Sequence, residues 1–222
     1  MKGKVDIVSA SGEIIRRLFN SISEPSGGKG YRVEHSQRVK TYIEKFILNP
    51  ELSLYNIDRD MVLGAGILHD IGDLARVKDS EIDYSVSIDH ARAGSNYART
   101  ELMKYSFSTN LIEGICEIIE NHHSYNKGAS IETKLVQDAD LIDESGILNV
   151  WQMFSFSIAT ERTLEKTLEY WNSKGKKRKE KCIDLCNFNF TKQYAKTRFD
   201  RFNKFIEDIY IETSGGDFTI KI

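Results

Sequence analysis

Met61-Val-Leu-Gly-Ala-Gly-Ile-Leu-His69-Asp70-Ile-Gly72-Asp73 is the stretch that decides the fold. Residues 61–68 are apolar on nearly every side of a helix, so that helix should be buried. It runs directly into an imidazole and a carboxylate. An ionised carboxylate at the end of a buried helix is costly unless it is neutralised or paired. A divalent metal would satisfy it, because neutral imidazole and carboxylate are both metal ligands. The alternative is a core histidine beside a salt-bridged aspartate. Adjacent helical residues point about 100° apart, so two of them share one ion most easily at a helix end. Gly72 is expected to supply that end as a C′ residue.

The chain has five histidines, His35, His69, His90, His122 and His123, and none lies beyond His123. His35 opens an amphipathic segment whose apolar stripe is Val39, Ile43, Phe46 and Ile47. Asp138-Ala-Asp140 sits in a helix-like segment with interleaved apolar positions. The order is therefore His, then His-Asp, then Asp, each on its own helix.

This ordered set resembles the HD-domain metal-dependent phosphohydrolases. The agreeing strings are His35-x-x-Arg38-Val39, Leu68-His-Asp-Ile-Gly72, Asn121-His-His-Ser124 and Gln137-Asp-Ala-Asp140-Leu, within roughly residues 30–155. The last string, with Lys127-Gly128 before it, is most similar to a branch related to small bacterial nucleotide pyrophosphohydrolases. Residues 192–206 resemble that branch's C-terminal helix. No Gly-Tyr-Pro motif follows His122-His123, so hydrolysis of cyclic di-guanylate is not supported.

The resemblance implies an all-α fold, a multi-helix bundle around a metal cleft. It implies one divalent ion (Mn, Fe, Ni, Zn or Mg) held by His35, His69, Asp70 and Asp140. Asp138 and Asp140 lie about 200° apart on a helix and cannot both face the ion; the resemblance favours Asp140. In two-metal relatives extra histidines add ligands and an aspartate like Asp70 bridges. His90 and His122 are the candidates here, and binding substrate phosphate or lining the cleft are their alternatives. His122 is preferred to His123 because it continues the helix through Ile118 and Ile119. Asp73, three residues after Asp70, is the candidate general base or water-positioning group; a surface carboxylate is the alternative. Arg38, one turn after His35, either clamps a substrate phosphate or supports a ligand carboxylate. Lys29, in the Gly-rich loop before His35, and Lys127 are further phosphate candidates, or solvated lysines.

The implied activity is hydrolysis of a phosphate ester or anhydride in a small molecule, a nucleotide above all. The rivals are a phosphodiesterase on cyclic or oligonucleotides, a di-iron oxygenase, and a non-catalytic metal-binding sensor or interaction module.

Composition is compatible with this reading. The 222 residues suffice for one well-buried domain, expected over 1–222 with a metal-site core at about 30–155 and a helical extension at about 156–212. Net charge is −2, which gives no strong signal for nucleic acid or membrane. Two prolines suit a helix-rich chain. Three cysteines, Cys116, Cys182 and Cys186, read as free thiols of a reducing compartment. No apolar run approaches the ~18 residues of a membrane span. The first residues lack an apolar signal core, so a cytoplasmic location is expected; oligomeric state is left open.

Periodicity predicts helices at about 11–19, 32–48, 58–71, 90–105, 111–121, 131–144, 148–160, 162–172 and 191–212. Asp58, Asp89 and Thr109 or Asn110 are the expected N-caps. The basic run at 174–181 reads as a solvated loop, since no aromatic residues are interleaved for base stacking. Residues 218–222 carry the one strand-like alternation.

Overall fold

Asp6 opens the first helix, α1 (Ile7–Phe19), by accepting the Ser9 N–H at 2.9 Å. The computed structural model describes residues 5–126 and 128–216. The architecture is all-α, with one small sheet among the described residues. Two compact units divide the chain, Met1–Asp140 and Leu141–Ile222.

In the first unit, Gly30 takes a left-handed φ of +75° and starts α2 (Tyr31–Phe46). Asp58 caps α3 (Arg59–Leu68), accepting from Met61 N at 3.0 Å, and Asp89 caps α4 (His90–Leu102), accepting from Arg92 N at 3.0 Å. The cap of α5 (Thr109–Asn121) is Ser108, one residue before the expected Thr109 or Asn110. The boundary between the units falls within α6 (Ile131–Asp143). Val62 to Leu68 are all buried, as the all-round apolar pattern demands, with α1, α2 and α5 packed around α3.

α3 stops at Leu68 because Asp70 leaves helical geometry (φ −99°, ψ 11°), and a 3₁₀ segment Ile71–Arg76 follows. Gly72 is not the left-handed terminator expected. The positive-φ glycines among the described residues are Gly28, Gly30 and Gly215. Gly72 is needed for close approach instead: a Cβ there would lie 1.9 Å from the His90 carbonyl oxygen and 2.6 Å from Gly94 N. Its bare backbone lets the start of α4 sit against the His69–Asp73 turn.

Four two-residue strands, β1 (Ser23–Glu24), β2 (Gly28–Lys29), β3 (Val77–Lys78) and β4 (Glu81–Ile82), form a sheet in the order β2-β1-β4-β3. β1 pairs antiparallel with β2 and parallel with β4, and β3 pairs antiparallel with β4. Asp79 and Ser80 turn the β3–β4 hairpin with φ of 51° and 65°, the positive values of a tight two-residue hairpin turn. The strand-like residues 218–222 lie outside the described residues.

The second unit contains α7 (Leu148–Ala159), α8 (Leu164–Tyr170), α9 (Lys176–Leu185) and α10 (Asn189–Thr213). Its core is Val150, Leu168, Trp171, Phe199, Phe202 and Ile206, with the Trp171 and Phe202 rings 4.4 Å apart. The basic run is helical rather than a loop: a π-helical turn, Trp171–Gly175, continues into α9. The cysteines are free thiols. No helix among the described residues is long and apolar enough to cross a membrane.

Candidate metal centre

All five histidines converge in the first unit. α2 brings His35, the end of α3 brings His69 and Asp70, and α6 brings Asp140. α4 begins with His90, and α5 ends into His122-His123. The ligand atoms sort into two sets. His35, His69 and Asp140 form one; Asp70, His90, His122 and His123 form the other.

Asp70 belongs to both neighbourhoods. Its Oδ2 is 3.4 Å from His35 Nε2 and 3.3 Å from His69 Nε2. Its Oδ1 is 3.7 Å from both His90 Nε2 and His122 Nε2. Asp140 Oδ1 lies 3.3 Å from His35 Nε2 and 3.7 Å from His69 Nε2. Imidazole nitrogens also face each other, His35 Nε2 to His69 Nε2 at 3.1 Å and His90 Nε2 to His123 Nε2 at 2.9 Å. Ligand atoms bonded at ~2.1 Å to one ion stand roughly 3.0 Å apart along octahedral edges and roughly 3.4 Å along tetrahedral ones. The observed spacings, 2.9 to 3.7 Å, span that range and extend slightly past both ends of it.

The tautomers agree. His69 Nδ1 lies 2.8 Å from Gly66 O and His122 Nδ1 2.5 Å from Ile119 O. A carbonyl only accepts, so each Nδ1 carries a proton, which leaves Nε2 as the inward-facing ligand atom of the neutral ring. His122 Nε2 is buried with no hydrogen-bond partner. An orphaned buried acceptor of this kind is what a cation would satisfy, so the residues fit divalent metal.

Electrostatics separates the two sets. Burial opposes charge on His69, yet the Asp70 and Asp140 carboxylates outweigh it and push its pKa up to about 9. Burial would raise Asp70 and Asp140, but His69 with Arg32 for the first, and His35 with His69 for the second, hold both well below the usual carboxylate range. In the other set desolvation lowers His90, and desolvation with the neighbouring His122 imidazole pushes His123 down to about 4. Those two rings are neutral near pH 7 and ready to bind metal.

Behind Asp70 lies a buried ion cluster that the sequence reading missed. Arg32 Nε and Nη2 donate to the two oxygens of Glu24, each at 2.9 Å. Its Nη1 donates to Asp70 Oδ2, and its Nη2 lies 3.0 Å from Asp73 Oδ2. The Tyr84 hydroxyl donates to Glu24 Oε2 at 2.6 Å. Three surrounding acids raise the Arg32 pKa well above its ordinary value against the pull of burial. The carboxylate support left open for Arg38 is thus provided by Arg32, one turn before His35 instead of one turn after. Arg38 lies over the Tyr31 ring at 5.4 Å and 3.9 Å from Glu34. The Tyr31 ring in turn stacks on His35, centroids 6.0 Å apart.

Asp73 is buried, not a surface carboxylate, and Arg76 Nη1 donates to its Oδ1 at 2.7 Å while Arg32 meets Oδ2. Asp138 is buried and belongs to neither ligand set. Lys29 sits exposed on β2, and Lys127 lies outside the described residues. His123 joins the second set beside His122, although periodicity singled out His122 alone.

With this geometry in view, the HD domain family model matches residues 32–145, just over half of the chain. The chain belongs to the HD domain family. Its fold is similar to that of Bacillus subtilis YpgQ in complex with ADP (TM-score 0.67, 18% identity, 93% of this chain and 94% of that one). It is also similar to a predicted HD superfamily hydrolase from an uncultured Thermotogales bacterium (TM-score 0.62, 18% identity, 91% and 90%). The Lin1889 protein of Listeria innocua shares it too (TM-score 0.63, 18% identity, 96% and 97%). At this identity the likeness is one of fold. No curated protein sequence matches the chain.

Proposed function

We propose that this protein hydrolyses a phosphate ester or anhydride bond in a small molecule, a nucleotide, using two divalent ions. The observation that carries the reading is the pair of ligand sets that meet at the two oxygens of Asp70. His35, His69 and Asp140 would hold one ion and His90, His122 and His123 the other, with Asp70 between them. Five imidazoles against two carboxylates favour iron, nickel or zinc over manganese or magnesium. When bound, such a pair acidifies water and offsets the charge that builds on phosphorus.

The protein's own part is orientation. Arg32 fixes the Asp70 carboxylate, and backbone carbonyls fix the rings of His69 and His122. Asp73 suits an anchoring role better than the general-base role expected for it. Both of its oxygens are engaged by guanidinium groups, which occupy the positions a water would need. Arg38 on α2 and Lys29 on the hairpin are the candidate contacts for a substrate phosphate. The ADP bound by YpgQ, which shares the fold, supports the nucleotide class.

The test is metal analysis of purified protein, then a hydrolysis screen of nucleoside mono-, di- and triphosphates with the metal found. Two ions per chain and release of phosphate or pyrophosphate, both lost in His69→Ala, are expected. Tight nucleotide binding without turnover under any of those metals would overturn the enzymatic reading.

A further inference from the structure

The end of α5 has an unusual termination problem. The last carbonyls of a helix have no intrahelical donor and are often satisfied where a glycine reverses the chain. Here the residue after Asn121 is His122, which keeps right-handed helical geometry (φ −65°, ψ −18°). Backbone N–H groups meet two carbonyls of the turn, Ser124 N donating to Asn121 O and Asn126 N to Ser124 O, each at 2.8 Å, and side chains add second donors. His122 Nδ1 takes Ile119 O. Gln137 Nε2 lies 3.2 Å from Asn121 O and 3.2 Å from Ser124 O. Gln137 is 1% exposed. Its two amide hydrogens suit two carbonyls, whereas the flipped amide would set an acceptor against two acceptors. The two carbonyls flank His122-His123 on either side.

We infer that Gln137 is a positioning residue that clamps the 121–124 turn and so aims His122 and His123 at Asp70 and His90. It does this from α6, three residues before Asp140, on the same face of that helix. One helix therefore supplies a ligand to the first set and the brace for the second. The ring of His122 hangs on Ile119 O in the last helical turn of α5, so a 121–124 turn that loosens shifts His122 relative to the anchor of its ring. The part of this inference that concerns metal rests on the two-ion reading; the part that concerns the turn does not.

Gln137→Met and Gln137→Glu keep the side-chain length and remove both donors. Hydrogen exchange on metal-free protein should show faster exchange at residues 121–126 in both variants, with protection in α1, α2 and α3 unchanged. Metal titration should show one ion held as in the wild type and the other weakened about 10–100-fold, the usual cost of removing a group that orients a ligand. Gln137→Glu should be the weaker of the two, because its carboxylate repels the two carbonyls. Unchanged exchange at 121–126 with both ions retained overturns the clamp. Loss of protection throughout the first unit, with both ions lost together, also overturns it, since that is general destabilisation. A wild type that holds a single ion would overturn the two-ion reading alone; the exchange pattern would still decide for or against the clamp.

Discussion

Replacing Arg32 by methionine removes the one positive charge that Glu24, Asp70 and Asp73 share. All three carboxylates are buried, at 4%, 7% and 3% exposure, so water cannot take over. Breaking a buried ion pair by deleting one partner costs about 3–5 kcal/mol, because a charge is left uncompensated. At roughly 2–4 °C per kcal/mol for a chain of this size, the metal-free Arg32→Met protein should melt about 6–20 °C below the wild type. Calorimetry in the presence of chelator measures this directly. A second change, Glu24→Gln, removes one of the stranded charges and should recover part of the loss when combined with Arg32→Met, while costing stability by itself. That non-additivity is the signature of coupling through the paired 2.9 Å contacts. A melting temperature within ~2 °C of wild type for Arg32→Met, or strictly additive effects, would refute the reasoning.

Three further outcomes are expected. In metal-free protein the raised His69 pKa of about 9 means that its protonation stabilises the fold fully below the unfolded value near 6.5, and that this contribution is lost as pH rises towards 9; the melting temperature should fall across that window. Metal entering the His69 set must displace that proton, so its apparent affinity should rise about tenfold per pH unit between 7 and 9, and a chelator competition giving a flat affinity would contradict the assignment. Asp73→Asn should retain its metal and lose less than about tenfold in kcat if Asp73 is an anchor, whereas a loss of 10²–10⁴ would restore it as general base. Gly72→Ala puts a methyl group where the His90 carbonyl stands and should weaken the ion of the His90 set before the other; equal metal content and affinity at both positions would show that the α4 contact can yield.

What was legible in the sequence follows from how local each signal is. The buried α3 and the caps Asp58 and Asp89 are set by side chains within three or four residues, and they stand where periodicity and capping rules put them. Ser108 was missed by one position because three consecutive residues, Ser108, Thr109 and Asn110, are all good caps. The sheet was invisible, since two-residue strands are too short to show alternation and the Asp79-Ser80 turn lacks glycine. The basic run looked like a loop because its charge hid the continuous helix that α9 makes of it.

At the candidate centre the order of ligands was readable, but its support was not. Arg32 and Arg38 stand three residues either side of His35, and only the tertiary position of Glu24 chooses between them. Likewise, helical periodicity assigns one of His122 and His123 to the interior, but the helix ends at Asn121 and the rule ends with it. Gln137 gave no signal beyond its place in the Gln137-Asp-Ala-Asp140 string, because both groups it braces are backbone carbonyls.

The gathering of every histidine into one place has a practical consequence. The chain has five imidazoles, and each belongs to one of the two ligand sets. Imidazole resonances in a nitrogen-15 spectrum of the untagged protein would therefore report on the centre with no background from elsewhere in the chain. His35 and His69 should shift together as one position fills, and His90, His122 and His123 as the other does. The same holds for a histidine-selective acylating reagent, whose reaction count would measure access to the centre. A polyhistidine purification tag would erase that advantage, so the protein is best isolated by other means.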